Sequence, residues 1–176
     1  MAMEVVAYEA PGWGVGELYL RFGILVYHEL PRAAAPAAPV PARARQASRP
    51  APLPSRARQA SPLHPLARRM VAFFAGERWS FDDVELDLDW CTPFQRAVAE
   101  VLREVSYGQT VTYGELAALA GYPNAQRAAG TFCAGNRFPL ILPCHRVVAA
   151  AGLGSYGWLG VDYKRRLLAL EGHAAL

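Results

Sequence analysis

The run Pro143-Cys144-His145-Arg146-Val147-Val148 sets a thiol beside a base and a cation. It follows an apolar segment, Phe138-Pro139-Leu140-Ile141-Leu142. A buried cysteine ordinarily behaves as a small hydrophobe. One flanked by positive charge can be held as thiolate, the nucleophilic form. Cys144 is therefore the candidate nucleophile and His145 the candidate base. On a regular strand, neighbouring side chains point to opposite faces, so direct Cys144–His145 contact is not assured.

The elements that must position this run are legible around it. Thr92-Pro93-Phe94-Gln95 reads as a capping box with proline at the first helical position. Phe94, Val98, Val101, Leu102 and Val105 follow at helical spacing, and Tyr107-Gly108 stops the helix. Thr110-Val111-Thr112 is a short extended piece. Thr112 and Glu115 form a second capping box, opening a helix from Tyr113 that ends at Gly121. Asn124 is expected to cap a further helix, from Ala125 to about Gly135. Two short helices joined by a tight glycine-containing turn form a helix-turn-helix. The second helix carries Ala128, Ala129 and Gly130, with Arg127 as its only charge. Small side chains allow close approach, either to a protein core or to a DNA groove. Spacing alone leaves both open.

The N-terminal part reads differently. Residues 4–8, 17–20 and 23–27 are β-rich, separated by turn residues, and suggest a small antiparallel meander. Residues 65–76 read as a helix with Leu66, Met70, Phe73 and Phe74 on one face. Val84-Glu85-Leu86-Asp87-Leu88 alternates like a half-buried strand. Between them, residues 31–62 are rich in proline, alanine and arginine, and Arg-Ala-Arg-Gln-Ala-Ser occurs at both 43–48 and 56–61. This composition predicts an exposed, flexible insertion, with a basic DNA-touching arm as the alternative.

Composition bounds the rest. The 176 residues are 53% hydrophobic and 19% charged, enough for a real core in one large or two small domains. No apolar run approaches the ~20 residues of a membrane span, and Met1-Ala2-Met3-Glu4 lacks the basic start of a secretory signal. Cys91, Cys133 and Cys144 are odd in number and lack metal-ligand spacing, so a reducing, cytoplasmic setting is expected. The net charge of +3 is unevenly spread: residues 31–65 hold six arginines and no acid, and residues 91–176 hold eight basic against five acidic residues. The remainder holds four arginines against ten acids. A polyanion partner suits the C-terminal part better than the N-terminal one.

Taken together, Pro143-Cys144-His145-Arg146-Val147, Tyr113-Gly114-Glu115-Leu116-Ala117, Gln126-Arg127-Ala128-Ala129-Gly130, Gly135-Asn136 and Glu171-Gly172 resemble the O6-alkylguanine-DNA alkyltransferases. The likeness is close over residues 91–173 and extends to residues 1–90 only in general architecture. It implies an α+β protein: an N-terminal ribonuclease-H-like α/β domain over 1–90, and a C-terminal winged-helix-like domain over 91–176 that contains the helix-turn-helix.

The implied reaction is stoichiometric, irreversible transfer of an alkyl group from guanine O6 in double-stranded DNA to Cys144, by a monomer acting without a cofactor. The resemblance implies that His145 deprotonates Cys144 through a water and that Glu171 orients the imidazole. Tyr113 would assist the purine, Lys164 would lie near the leaving oxygen, and Asn136 would organise the turn before Cys144. Arg127 would enter the duplex from the minor groove and replace the flipped guanine. Thr112, Tyr113, Ala128, Ala129 and Gly130 would lie against DNA. The carbonyls of Cys144 and Val147, with Tyr156 and Gly157 of the glycine-rich loop, would line the substrate pocket. Arg146 would pair internally, tying strands together. The chain departs from the family at Gly157, where a hydroxyl often follows the loop tyrosine, and at Arg137, where proline usually follows the asparagine. Some relatives bind zinc through N-terminal Cys and His ligands. Residues 1–90 contain no cysteine, only His28 and His64, so no metal is expected. A lesion sensor and a helix-turn-helix regulator with a merely buried Cys144 are the alternatives from other functional classes.

Overall fold

The computed structural model describes residues 3–33, 58–60 and 64–173, with residues 58–60 described for their backbone. The chain divides into two compact units, Met1–Asp87 and Leu88–Leu176.

In the first unit the β-rich runs form β1 (Glu4–Ala10), β2 (Gly14–Arg21) and β3 (Ile24–Arg32). β1 pairs antiparallel with β2 from Glu4↔Leu20 to Ala10↔Gly14, and β2 pairs antiparallel with β3. Only glycine fits at position 14. Its φ is +106°, and a Cβ there would lie 2.0 Å from the Arg32 carbonyl oxygen. A three-residue strand, β4 (Arg58–Ala60), pairs parallel with β1 and completes the order β3-β2-β1-β4. This strand comes from the second copy of the arginine-rich hexapeptide, which by composition alone reads as part of an exposed, flexible insertion. Most of that insertion lies outside the described residues.

Helix α1 (Pro65–Phe74) packs on β1, burying Leu66, Ala67, Met70, Phe73 and Phe74. Phe74 meets Trp13 at a ring-centroid distance of 5.0 Å. The alternating run at 84–88 makes only one bridge, Leu25↔Leu86, rather than a strand.

The second unit holds α2 (Pro93–Glu104), β5 (Val111–Thr112), α3 (Tyr113–Leu119), α4 (Gln126–Ala134), β6 (Val147–Val148) and α5 (Val161–Leu170). Both capping boxes form as the sequence suggests, at Thr92/Gln95 and Thr112/Glu115. Asn124 does not cap α4. It adopts a left-handed φ of 69°, and Ala125 stands at the N-cap without a side-chain bond. Asparagine tolerates that conformation better than most residues. The buried side chains of this unit include Val98 and Leu102 of α2, Leu116 of α3, Phe132 of α4, Leu167 and Leu168 of α5, and Phe138 and Leu142.

The short strands β5 and β6 pair in parallel, Val111 opposite Val147 and Thr112 opposite Val148. That ladder joins the start of α3 to the residues that follow Cys144. It brings two regions more than thirty residues apart into one site.

Leu102 is fully buried, so Leu102→Ala should cost about 2–5 kcal/mol in urea denaturation. Thr92→Ala removes one half of a surface capping box and should cost about 1 kcal/mol.

Candidate active site

Cys144 does not lie on a strand. Residues 144–146 form one turn of 3-10 helix that leads into β6. The preceding apolar segment is a succession of buried turns. Leu142 N–H donates to Phe138 (2.8 Å), Cys144 N–H donates to Leu142 (2.7 Å), and Leu140 holds a left-handed φ of 73°. A buried leucine in that region is strained, and such strain persists only where surrounding contacts enforce it. Tight turns replace the alternation of a strand, so the opposite-face argument does not apply to Cys144 and His145.

Asn136 organises this turn and also reaches the sulfur. Its Oδ1 accepts from Phe138 N–H at 2.9 Å. Its Nδ2 donates to the Leu142 carbonyl at 2.7 Å and to Cys144 Sγ at 3.1 Å. Cys144 is 5% exposed. Burial pushes its thiol pKa up, opposed by the Asn136 bond, by the Tyr156 hydroxyl and by the Lys164 charge. The Tyr156 hydroxyl makes no hydrogen bond of standard geometry, yet it faces the sulfur closely enough that each perturbs the other's ionisation. The net direction is upward, so the resting group is a thiol. Positive charge on the flanking residues can hold such a sulfur as thiolate, but adjacency in sequence does not achieve it here. Arg146 is instead engaged elsewhere, and the positive charge that bears on the sulfur is Lys164.

Arg146 and His145 share one acid. His145 Nε2 lies 2.8 Å from Glu171 Oε1. Arg146 Nε donates to Glu171 Oε2 (2.9 Å), and its Nη2 donates to Oε1 (2.8 Å). Arg146 Nη1 also donates to the Val105 carbonyl at 2.6 Å. Arg146 thus ties the end of α2 to the end of α5, not strand to strand. Burial pushes the Glu171 carboxyl upward, but the bonds and charges of His145 and Arg146 outweigh it and hold its pKa at about 2.

Burial lowers the His145 pKa more than Glu171 raises it, so the imidazole is neutral at neutral pH. An ionised carboxylate only accepts, so Nε2 carries the proton and Nδ1 is the basic nitrogen. Two neighbours missed in the sequence complete the clamp. Gly108 N–H donates to Glu171 Oε2 (3.2 Å) and Tyr107 Oη donates to the Leu170 carbonyl (2.8 Å). The pair Tyr107-Gly108 was legible only as a helix stop.

Lys164 is fully buried on α5 rather than a surface charge. Its Nζ donates to the Val147 (2.5 Å) and Leu153 (2.6 Å) carbonyls. Burial lowers its pKa, while the two thiols Cys144 and Cys133 act to raise it. The Val147 carbonyl therefore already accepts one bond, and the Cys144 carbonyl accepts one from Val147 N–H.

Tyr113, half-buried, starts α3 and lies under Lys164 Nζ at 5.8 Å from its ring centroid. Burial, then the nearby thiols, push its phenol up to about 12, so it stays protonated and able to donate. Gly154 approaches it so closely that an added Cβ would sit 3.3 Å from the ring. Tyr156 is buried and stacks on Tyr163 of α5, while Gly157 is exposed with φ 46°.

The expected DNA-contacting residues divide. Arg127 and Ala128 are exposed on α4 and Gly130 is intermediate, but Ala129 is fully buried and faces the core. Thr112 is partly exposed, with its hydroxyl accepting from Glu115 N–H. Among the described residues no cluster of three or more acidic, histidine or cysteine side chains is placed to hold a metal. No helix among them is long and apolar enough to cross a membrane.

Residues 93–173 match the family description "6-O-methylguanine DNA methyltransferase, DNA binding domain". The chain is 46% identical over 107 residues to a methylated-DNA–protein-cysteine methyltransferase of Methanopyrus kandleri, covering 61% of this chain and 79% of that relative. It is 48% identical over 101 residues to the protein of that name in Mycolicibacterium paratuberculosis, covering 57% and 59%. Among solved structures it is similar to the Mycobacterium tuberculosis O6-methylguanine methyltransferase, with TM-score 0.74, 32% identity and coverage of 99% and 96%. It is also similar to an OGT of that organism in complex with DNA, with TM-score 0.70, 32% identity and coverage of 96% and 92%.

Glu171→Gln leaves Arg146 buried without its counter-charge and should cost about 3–5 kcal/mol near neutral pH. The depressed carboxyl pKa contributes stability that is full above 4.5 and is lost as pH falls toward about 2. Urea titrations across that range should show this acid-labile component in the native chain and not in the variant.

Proposed function

The chain belongs to the methylated-DNA–protein-cysteine methyltransferase family, and on that premise we propose that it reverses O6-alkylguanine damage by moving the alkyl group onto Cys144. The observation that carries this reading is a buried sulfur, bonded by Asn136 at 3.1 Å, on the same turn as an imidazole fixed by Glu171. A packing cysteine needs neither partner.

The thiol proton passes through a water to His145 Nδ1, whose basicity follows from the Nε2–Glu171 bond. The imidazolium so formed is stabilised by the carboxylate. Sγ attacks the alkyl carbon, a carbon–sulfur bond forms, and the bond to O6 breaks with its electron pair leaving on the guanine. Tyr113, kept protonated, donates to the purine ring as negative charge develops there. Lys164 uses two of its three N–H groups on carbonyls and lies close enough to both the thiol and Tyr113 to stabilise the departing oxygen. The product is a thioether, and none of the site's groups is equipped to cleave it. The protein therefore acts once per molecule, without a cofactor.

Duplex DNA must yield the base first. The target nucleotide rotates out of the minor-groove side into the pocket formed by Cys144, Val147, Tyr156, Gly157 and Lys164. Arg127, exposed on the second helix of the pair α3–α4, fills the gap. Ala128 and Gly130 allow the helix to come close, while Ala129 serves the core beneath. Thr112 and Tyr113 lie at the junction of β5 and α3, where the backbone passes.

In this reading residues 91–176 form a winged-helix-like domain holding both DNA and nucleophile. Residues 1–90 form a ribonuclease-H-like domain with an arginine-rich insertion. The protein works as a monomer in the cytoplasm, in keeping with an odd cysteine count that argues against a disulfide framework.

Incubation with an O6-methylguanine oligonucleotide should add the mass of one methyl group to the Cys144 peptide. Cys144→Ser should gain none; methylation elsewhere, or tight binding without transfer, overturns the reading. Arg127→Ala should slow transfer from duplex by about tenfold or more, since unstacking costs a few kcal/mol, and leave transfer from a single strand nearly unchanged.

A further inference from the structure

Asn136 can bond the sulfur only if the turn that carries it holds still. Its Oδ1 closes a small ring onto Phe138 N–H, and the residue enclosed by that ring is Arg137. Where relatives were expected to place a proline, whose ring fixes the backbone, this chain has a residue with full backbone freedom. The structure supplies a different restraint. The Arg137 guanidinium lies over the Trp90 ring, 4.1 Å from its centroid. Trp90 in turn stacks on Phe132 of α4, 6.5 Å between centroids at 16°. Phe132 is 3% exposed, so the stack is rooted in the core of this unit. Asn136 N–H donates to the Cys133 carbonyl at 3.3 Å, at the end of the same helix. The turn is thus held on one side by the end of α4 and on the other by a cation resting on an aromatic ring.

We infer that Arg137 is a positioning residue for alkyl transfer, its stack on Trp90 holding the Asn136 amide against Cys144. The inference rests on the proposed role of Cys144. The groups that bear on that sulfur are Asn136, Tyr156 from the loop, Lys164 from α5, Cys133 from α4 and Tyr113 from α3. Of these, Asn136 has the turn at residue 137 as its support. A donor to sulfur favours the thiolate over the thiol. Loosening it therefore raises the pH needed for reaction without removing any reacting group.

The test compares Arg137→Ala, Trp90→Leu and Trp90→Phe in single-turnover transfer across pH. Alongside it, iodoacetamide alkylation of Cys144 is read by peptide mass spectrometry without DNA. Arg137→Ala should slow transfer about two- to fivefold near neutrality, the rate equivalent of one partly exposed cation–π contact. Its rate should converge with that of the native chain at alkaline pH. Its iodoacetamide midpoint should rise by about half a unit. Trp90→Leu should reproduce both effects, and Trp90→Phe should largely retain the native rate and midpoint.

The inference is overturned if the midpoint stays put in Arg137→Ala, or if its rate falls by one factor at every pH. It is overturned equally if Trp90→Leu has no effect, since the Arg137 charge acting through space would then be the cause. Should the native chain alkylate with iodoacetamide yet never accept a methyl group from DNA, the role of Cys144 fails while the positioning result stands on its own.

Discussion

One carboxylate governs this site. Glu171 accepts from both His145 and Arg146 in a place closed to water, and each of those partners belongs to the turn that bears the nucleophile. A buried ion pair is seldom retained for stability alone, because desolvation offsets most of its attraction. Here it fixes geometry. The acid sets the imidazole's orientation and tautomer, and the arginine joins that acid to the end of α2 through the Val105 carbonyl. The turn Cys144–Arg146, the end of α2 and the end of α5 are thus tied through one carboxylate and one guanidinium.

The second constraint is that the sulfur proposed as nucleophile rests as a thiol. Burial outweighs every group that favours the thiolate, so the sulfur rests protonated beside a neutral base. A thiol in this condition reacts slowly with adventitious electrophiles. For a protein that can react only once, such restraint protects the single available equivalent.

Much of this was legible in the chain itself. The capping boxes at Thr92 and Thr112 fixed the starts of α2 and α3, since side-chain oxygens at those positions have few other uses. The Cys-His pair and the distant Glu171 were readable through family likeness. Spacing alone does not reveal that residues 145 and 171 meet. The state of the sulfur was not legible, because it depends on burial, and adjacent cations in sequence need not face it. Arg146 carried the expected charge to the wrong atom for thiolate formation and the right one for holding the acid. The strand geometry weighed for Cys144 and His145 does not form there, because continuous apolarity ahead of them is shared by buried turns and buried strands. Tyr107 and Gly108 contribute through backbone and hydroxyl groups that no pattern of residue types announces.

Glu171 is also the C-terminal cap of α5. The peptide dipoles of a helix gather partial negative charge at that end, which disfavours a second anion there. Arg146 offsets this penalty as well as binding the acid. Without its guanidinium, burial would act on the carboxyl with less opposition and favour its neutral form, and a protonated carboxyl can donate where it formerly only accepted. The imidazole could then carry its hydrogen on the other nitrogen and present no lone pair to the thiol. A side chain whose charge is directed away from the sulfur thereby bears on which imidazole nitrogen keeps its lone pair.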